Sequence, residues 1–390
     1  MSRTIAAVTV GRSDYGIYRP ILREIARRDG LKLHLIVSGA HLLPEFGSTV
    51  SAIEADRIPI GDRVEMLLGS DSPEAVAKSM GLGLIGFAQA YARVRPDLLL
   101  IVGDRFEMHA AVAAALPFRI PVAHVHGGEL SFGALDDAFR HSMTKLSHLH
   151  FVSTAEYARR VAQLGEEPWR ITVSGAPGLD ELRSIQPLPG AEFFRRFQLK
   201  PTKDFLLVTY HPATLENEGA SDQFRELAAA LVDSGRPVLF TMPNADTGGR
   251  ALRALIHEYV AAHPSAQAVE NLGSEGYATA MSLATAMVGN SSSGIIEAAS
   301  FALPVVNVGS RQAGRVRGSN VIDCDARRGE ISAALSSALA PAFRAGLAGV
   351  ANPYGDGSAA VRIVDRLASE KLGAALLLKR FHDISAEGLA

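Results

Sequence analysis

The chain has 390 residues, 39 Lys+Arg against 41 Asp+Glu for a formal net charge of −2, 47% hydrophobic and 21% charged residues. At ~150 residues per domain this suggests two or three domains, with a core large enough to fold without disulfide or metal staples. The near-balance of charge argues against general nucleic-acid or anionic-membrane binding, which needs a basic surplus, but leaves room for a small basic pocket for a phosphorylated ligand. A single cysteine, Cys324, can form neither an intramolecular disulfide nor a cysteine-based zinc site, which fits a reducing cytosol. Apolar runs such as Leu98–Val102 are far shorter than the ~18–20 residues of a membrane span. The short apolar run before Arg12 and Asp14 carries no secretory signal, so a cytoplasmic location is expected.

Taken in chain order, short β-rich runs alternate with longer amphipathic ones. Thr4–Val10 reads as a strand, Ile17–Arg27 as a helix and Leu33–Val37 as a strand. Strands follow at Leu98–Val102, Val122–Val125 and His148–Val152, with helical patterns near Glu107–Leu116 and Asp136–Lys145. Strands apolar throughout and joined by helices indicate a parallel sheet covered on both faces. Ser184–Gly190, with two prolines and a glycine, can continue neither helix nor central strand and reads as a linker. The alternation restarts with strands Phe205–Thr209, Val238–Thr241, Ala284–Val288 and Val305–Val308, and helices Asp222–Val232, Arg250–Ala262 and Gly294–Phe301. The expected organisation is an α/β domain over 1–184, a second over 190–359, and a C-terminal helical stretch (Ala359–Leu378, within about 360–390) packing back on the first half. A cleft between two such halves is the default ligand site.

Gly81-Leu82-Gly83-Leu84-Ile85-Gly86 matches the dinucleotide fingerprint, but no strand feeds it and the preceding Pro73–Met80 is helical in pattern, so close helix packing is the better reading. Gly289-Asn290-Ser291-Ser292-Ser293-Gly294 follows an apolar run and opens a helix, where free amides and hydroxyls can meet an anion. Glu297, one turn on, could accept both hydroxyls of a ribose; an ordinary serine N-cap is the alternative. Gly11-Arg12-Ser13-Asp14-Tyr15-Gly16 and Gly103-Asp104-Arg105-Phe106-Glu107 each follow a strand. Arg105 could hold a phosphate and Asp104 act as a base, or both loops could be plain capped helix starts. The densest cluster is His124-Val125-His126-Gly127-Gly128-Glu129, followed by Asp136-Asp137 and Arg140-His141. Its groups can carry protons; a metal on His124 and His126 is the rival, though His124 inside a strand is better explained as a core histidine. His148 and His150 read as structural. His211, Asn244 and Arg311 sit at three further strand ends in the second half.

In this order, these motifs resemble the hydrolysing UDP-N-acetylglucosamine 2-epimerases that supply ManNAc for sialic acid synthesis, over about residues 5–365. The resemblance implies a GT-B fold of two Rossmann-like parallel-sheet domains around an interdomain cleft, with no cofactor and no required metal. It implies elimination of UDP from UDP-GlcNAc to a 2-acetamidoglucal, then addition of water to release ManNAc and UDP. Carried over residue by residue, Asp104 and Asp136 become acid/base groups. Arg12, Arg105, His211, Ser291, Ser292 and Arg311 become the UDP clamp, with Glu297 on the ribose. Asp14, Asn244 and His41 become further substrate contacts, and His211 also a candidate catalytic group. Some relatives carry a catalytic glutamate where this chain has His126, so either His126 is the base or Glu129 takes part of the role. A second branch with this histidine acts on UDP- or GDP-linked 2,4-diacetamido-trideoxy sugars on the legionaminic acid route. A nucleotide-sugar substrate, no nucleic acid or membrane partner, and a homo-oligomer (dimer or tetramer) complete the expectation. A GT-B glycosyltransferase is the alternative from another class.

Overall fold

The computed structural model describes residues 2–44, 49–70, 72–132, 135–211, 219–243 and 249–384. Strands in which every residue is apolar or uncharged can be buried on both faces only in a parallel sheet covered by helices. Leu98–Val102 and Leu206–Thr209 are buried along their whole length. The first sheet comprises β1 (Arg3–Thr9), β2 (Leu31–Ser38), β3 (Ile60–Val64), β4 (Leu98–Val102), β5 (Val122–Val125), β6 (Leu149–Val152) and β7 (Ile171–Val173), in the order β3-β2-β1-β4-β5-β6-β7. The second comprises β8 (Leu206–Thr209), β9 (Val238–Thr241), β10 (Ala266–Val269), β11 (Ala286–Gly289), β12 (Val305–Val308) and β13 (Val321–Cys324), in the order β10-β9-β8-β11-β12-β13. Every strand pair is parallel, from β1–β2 and β1–β4 to β8–β11 and β12–β13.

The chain divides into two compact units, Met1–Asp180 with Gly357–Ala390, and Glu181–Asp356. Pro187 and Pro189 lie in the break between the helices Gly178–Ser184 and Gly190–Arg196. The helix Ala359–Ser369 returns to the first unit, adding Ala360, Ile363, Val364 and Leu367 to its core. Asp180 fixes its start by accepting the Ala359 and Ala360 amides at 2.9 and 2.6 Å, satisfying two donors that a helix N-terminus leaves open. The helical stretch expected to reach Leu378 stops at Ser369 and resumes for one turn at Ala374–Leu377. There the buried Arg170 donates to the carbonyls of Leu376 and Leu378 at 2.8 and 2.9 Å. No described helix is long and apolar enough to cross a membrane.

Two further expectations shift, and the reading of the Gly81–Gly86 glycines as helix packing holds. The first helix begins at Arg12, not Ile17, so Arg12 and Asp14 occupy its first turn. The expected helix Gly294–Phe301 is a five-residue helix, Ser292–Ile296, followed by a 3-10 turn at Ala298–Phe301. The fingerprint glycines lie inside one helix, Pro73–Val94. A Cβ on Gly83 would stand 2.6 Å from Met66 Cε, and one on Gly86 2.6 Å from Val64 Cγ1, so these glycines serve close helix–sheet packing and not a phosphate. Gly86→Leu should therefore destabilise the fold by ~1–3 kcal/mol, lowering the Tm by several degrees in a thermal melt, while leaving nucleotide affinity unchanged.

Candidate active site

In an open parallel sheet, two neighbouring strands whose connections leave in opposite directions open a crevice at their C-terminal ends. In the first unit this switch falls between β1 and β4, and in the second between β8 and β11. The Arg12 turn and the Gly103–Arg105 loop follow the first pair; His211 and Asn290–Ser292 follow the second. The switches therefore gather Arg12, Asp104 and Arg105 in the first unit and His211, Ser291 and Ser292 in the second, whereas His126 and Glu129 follow β5 and Arg311 follows β12.

In the first unit, the centre of charge is Arg140, on the helix Leu135–Leu146 and almost fully buried. It is ion-paired with Asp104, and donates from Nη1 to Glu129 Oε2 at 3.4 Å and from Nη2 to Ser131 Oγ at 3.1 Å. The other Glu129 oxygen, Oε1, lies 2.6 Å from His126 Nδ1. That carboxylate selects the tautomer with the proton on Nδ1, leaving Nε2 as the basic nitrogen, with no hydrogen-bond partner among the described residues. His126 lies past the end of β5, with a left-handed φ of 67° that a non-glycine residue adopts only where neighbours enforce it. Its amide donates to Phe151 O at 3.0 Å. Behind it, Gly128 (φ 77°) presses against the Tyr157 carbonyl, and Arg160 Nη1 donates to the Gly128 carbonyl at 2.6 Å.

His124 is a fully buried core residue, its Nε2 2.8 Å from the Gly103 carbonyl and its Nδ1 3.2 Å from Thr144 Oγ1. Burial pushes its pKa down to about 3, so it stays neutral and holds the turn that presents Asp104. With both nitrogens engaged it is no partner for a metal on His126. Asp136 is exposed at the start of the same helix as Arg140; partial desolvation and then the negative charge of Asp104 push its pKa up. Arg105 is nearly half exposed, with Nε 3.5 Å from the buried Glu107.

Arg12 is exposed at the helix start, whereas Asp14 and His41 are sealed beneath it. Asp14 Oδ2 accepts from Thr9 Oγ1 at 2.6 Å and from the Val10 amide at 3.0 Å. Thr9 Oγ1 is in turn 2.9 Å from His41 Nε2, and His41 Nδ1 is 2.7 Å from Thr49 Oγ1. Burial pushes Asp14 up to about 6 and His41 down to about 4. The consistent proton arrangement at neutral pH is an ionised Asp14 and a neutral imidazole with its proton on Nε2. Through Asp14 Oδ2, Thr9 and His41 this chain of hydrogen bonds braces the β1 end that carries Arg12, while Asp14 Oδ1 is buried without a hydrogen-bond partner among the described residues.

In the second unit, Asn290 clamps His211 across the switch. Its Oδ1 accepts the His211 amide and its Nδ2 donates to the His211 carbonyl, both at 2.8 Å. The Asn290 carbonyl accepts from Arg311 Nη1 at 3.0 Å and Gln312 Nε2 at 2.8 Å, tying a third strand end to the other two. Gly289 (φ 134°) has no room for a side chain, because a Cβ would strike the Thr209 carbonyl. Ser291 caps the short helix by accepting the Ser293 amide, and its hydroxyl touches that of Ser293, which bonds Tyr277. Ser292 is partly exposed beside it and Arg311 is exposed. Glu297 has no hydrogen-bond or ion-pair partner among the described residues, and burial alone pushes its pKa up to about 7. Asn244 lies outside the described residues.

The roles of Arg140, Ser131, Ser153, Tyr277 and Thr9 are not legible in the sequence. Arg140 follows the Asp136-Asp137 pair and Ser153 follows directly on the expected strand ending at Val152, but what each bonds is a tertiary fact.

Residues 23–368 match the family model for UDP-N-acetylglucosamine 2-epimerase, so the chain belongs to that family, among nucleotide-sugar 2-epimerases of the hydrolysing kind. It is 38% identical over 380 residues to the UDP-N,N'-diacetylbacillosamine 2-epimerase (hydrolyzing) of Legionella pneumophila, covering 97% of this chain and 99% of that one. It is 31% identical over 324 residues to the UDP-N-acetylglucosamine 2-epimerase of Neisseria meningitidis, covering 83% and 84%. Among solved structures, UDP-GlcNAc 2-epimerase from Neisseria meningitidis bound to UDP-GlcNAc superposes with a TM-score of 0.77 at 17% identity, over 94% of this chain and 100% of that one. The two parallel-sheet, Rossmann-like units are thus those of the GT-B class.

Glu297 supplies a test with two readouts. A carboxyl raised from 4.5 to about 7 destabilises the fold above its folded pKa, where the buried group must be charged, and is harmless below the unfolded one. Glu297→Gln should stabilise the protein above pH ~7 by on the order of 1–2 kcal/mol, some of the effect being screened by residual exposure, and change little below pH ~4.5. Calorimetric melts at the two pH values check this. If the carboxylate holds a ribose diol, the same substitution weakens UDP binding, and the wild-type advantage over the variant shrinks as pH falls below about 7.

Proposed function

We propose that the protein hydrolyses a UDP-linked 2,4-diacetamido-2,4,6-trideoxy sugar of the diacetylbacillosamine type, releasing the free 2-epimeric sugar and UDP. The observation that carries this choice is the end-to-end likeness to the Legionella enzyme, higher in identity and wider in coverage than that to the Neisseria enzyme. UDP-GlcNAc, giving ManNAc and UDP, is the second reading, favoured by the description of the family and by that Neisseria relative.

The reaction must remove a weakly acidic C2 proton while negative charge grows on a departing diphosphate, so it needs a base beside a phosphate clamp. In this reading His126 Nε2 takes the C2 proton. Glu129 orients the ring and stabilises the imidazolium, as the carboxylate does in a Ser-His-Asp triad. The C1–O bond to UDP breaks with the C2–H bond, leaving a 1,2-unsaturated sugar. Water then adds its hydroxyl to C1, and C2 regains a proton from the opposite face, which inverts C2 and balances the reaction. In the same reading Asp104 and Asp136 handle the second proton and the attacking water. In the second unit, Ser291, Ser292, His211 and Arg311 supply donors for the diphosphate and Glu297 accepts the ribose hydroxyls; Arg12 and Arg105 add charge from the first, and Asn244 is a further substrate contact.

Product analysis by NMR in deuterated water, against UDP- and GDP-linked diacetamido sugars and UDP-GlcNAc, tests the reading. We expect free sugar with deuterium at an inverted C2, and kcat/KM for the UDP-diacetamido sugar at least ~100-fold above that for UDP-GlcNAc, a discrimination that a lost polar contact can supply. Turnover of UDP-GlcNAc alone selects the second reading, an epimer still joined to UDP rejects hydrolysis, and an unchanged C2 with an acceptor attached makes the protein a glycosyltransferase. Asp104→Asn should lower kcat by ~100-fold or more while changing UDP affinity less than about threefold, measured by steady-state kinetics and calorimetric titration.

A further inference from the structure

We infer that Ser153 is a positioning residue for the His126–Glu129 pair, setting how strongly the carboxylate holds the imidazole; the inference rests on His126 serving as the base. Ser153 is the first residue beyond β6 and is 2% exposed. Its Oγ lies 3.0 Å from Glu129 Oε1 and 3.1 Å from His126 Nδ1, closing a triangle whose third side is the 2.6 Å contact between His126 and Glu129.

Proton accounting gives the triangle one stable arrangement. Nδ1 cannot face Glu129 Oε1 at 2.6 Å with two lone pairs opposed, so Nδ1 carries the proton and donates it to the carboxylate. The Ser153 hydroxyl has one proton and no acceptor left on the ring, so it too donates to Oε1. Glu129 Oε1 then receives two donors and Oε2 receives Arg140. A hydroxyl donated to a buried carboxylate disperses part of its charge, and that share no longer stabilises a positive imidazole. Without the hydroxyl, Glu129 holds imidazolium more tightly and the base is released at higher pH.

Among the described residues, the charged or titratable groups around this turn include Arg140 with Asp104 beyond it, Arg160 at the Gly128 carbonyl, and the buried His124. None hydrogen-bonds Ser153, so a change at Ser153 leaves each of them in place. β6 is hydrogen-bonded beside β5, and the amide of His126 donates to the Phe151 carbonyl two residues before Ser153, so the triangle is set by sheet register.

The test uses the full-length protein and the variants Ser153→Ala and Ser153→Thr. NMR of the labelled imidazole nitrogens, with His126 identified by the signals lost in His126→Gln, follows the ring directly. The acid limb of the kcat/KM profile follows it in turnover. We expect the ring midpoint and the acid limb to move up together by ~0.5–1 pH unit in Ser153→Ala, and to return in Ser153→Thr, which keeps the hydroxyl. A ring midpoint unchanged in Ser153→Ala overturns the inference. A ring midpoint that moves while the acid limb stays fixed keeps Ser153 as the partner of the pair but removes His126 as the base, so the two failures are told apart. If Ser153→Ala does not fold, Ser153→Cys, with a weaker donor of similar shape, should give a smaller shift of the same sign, and no shift overturns the inference.

Discussion

Everything that carries chemistry in this protein is displaced to one edge of each sheet, because the strands themselves have no place for charge. β4, β5, β6, β8 and β12 are buried at every position, between helices on both faces. An ionised side chain there would have to be paired or neutralised. The polar side chains that enter these and the neighbouring strands, among them His124, His150, Asn307, Thr9 and Thr209, are hydrogen-bonded within the protein. The C-terminal ends at the two switches are where the chain leaves the sheet in opposite directions, and they collect the Arg12 and Asp104 loops in one unit and the His211 and Asn290 loops in the other.

Holding acids together at such an edge requires a countercharge, and in the first unit it comes from Arg140. Its guanidinium meets Asp104 and Glu129 from one buried position, and its planar fork of donors suits two carboxylates at once. Glu129 can then be a buried anion that orients His126, and Asp104 can stand close to Asp136, whose pKa desolvation and then this neighbouring charge push up. The second unit solves a different problem with neutral groups. There Asn290 ties His211 through its side-chain amide and Arg311 and Gln312 through its main-chain carbonyl, while the desolvated Glu297 carboxylate has no partner among the described residues. A desolvated anion without a donor costs stability until a ligand supplies one, which is the pattern expected of a binding group.

The inner strands were legible in the sequence and the edge strands were not. β1, β2, β4, β5, β6, β8, β9, β11 and β12 all fall on runs read as strands, whereas β3, β7, β10 and β13, the four that end the two sheets, left no signal. An inner strand is buried on both faces and must be apolar, while an edge strand such as Ile171–Val173 or Val321–Cys324 is partly exposed and reads like loop. The same physics separated the false dinucleotide motif from the real turns: glycines within a helix answer to packing against Met66 and Val64, whereas Gly289 answers to the Thr209 carbonyl at a strand end.

From the sequence alone came the two α/β halves, the strand ends where polar groups gather, and the family, because buried strands and glycine turns impose composition locally. Tertiary structure decided the division of labour among those polar groups. It buried Asp14 and His41 under the first helix, made His124 a brace for the Asp104 turn, and put Glu129 behind His126. It also brought in Arg140 and Ser153, whose partners lie 36 and 24 residues away along the chain. Charge balance and proton direction depend on such distant contacts, which parallel sheet order creates and no local pattern records.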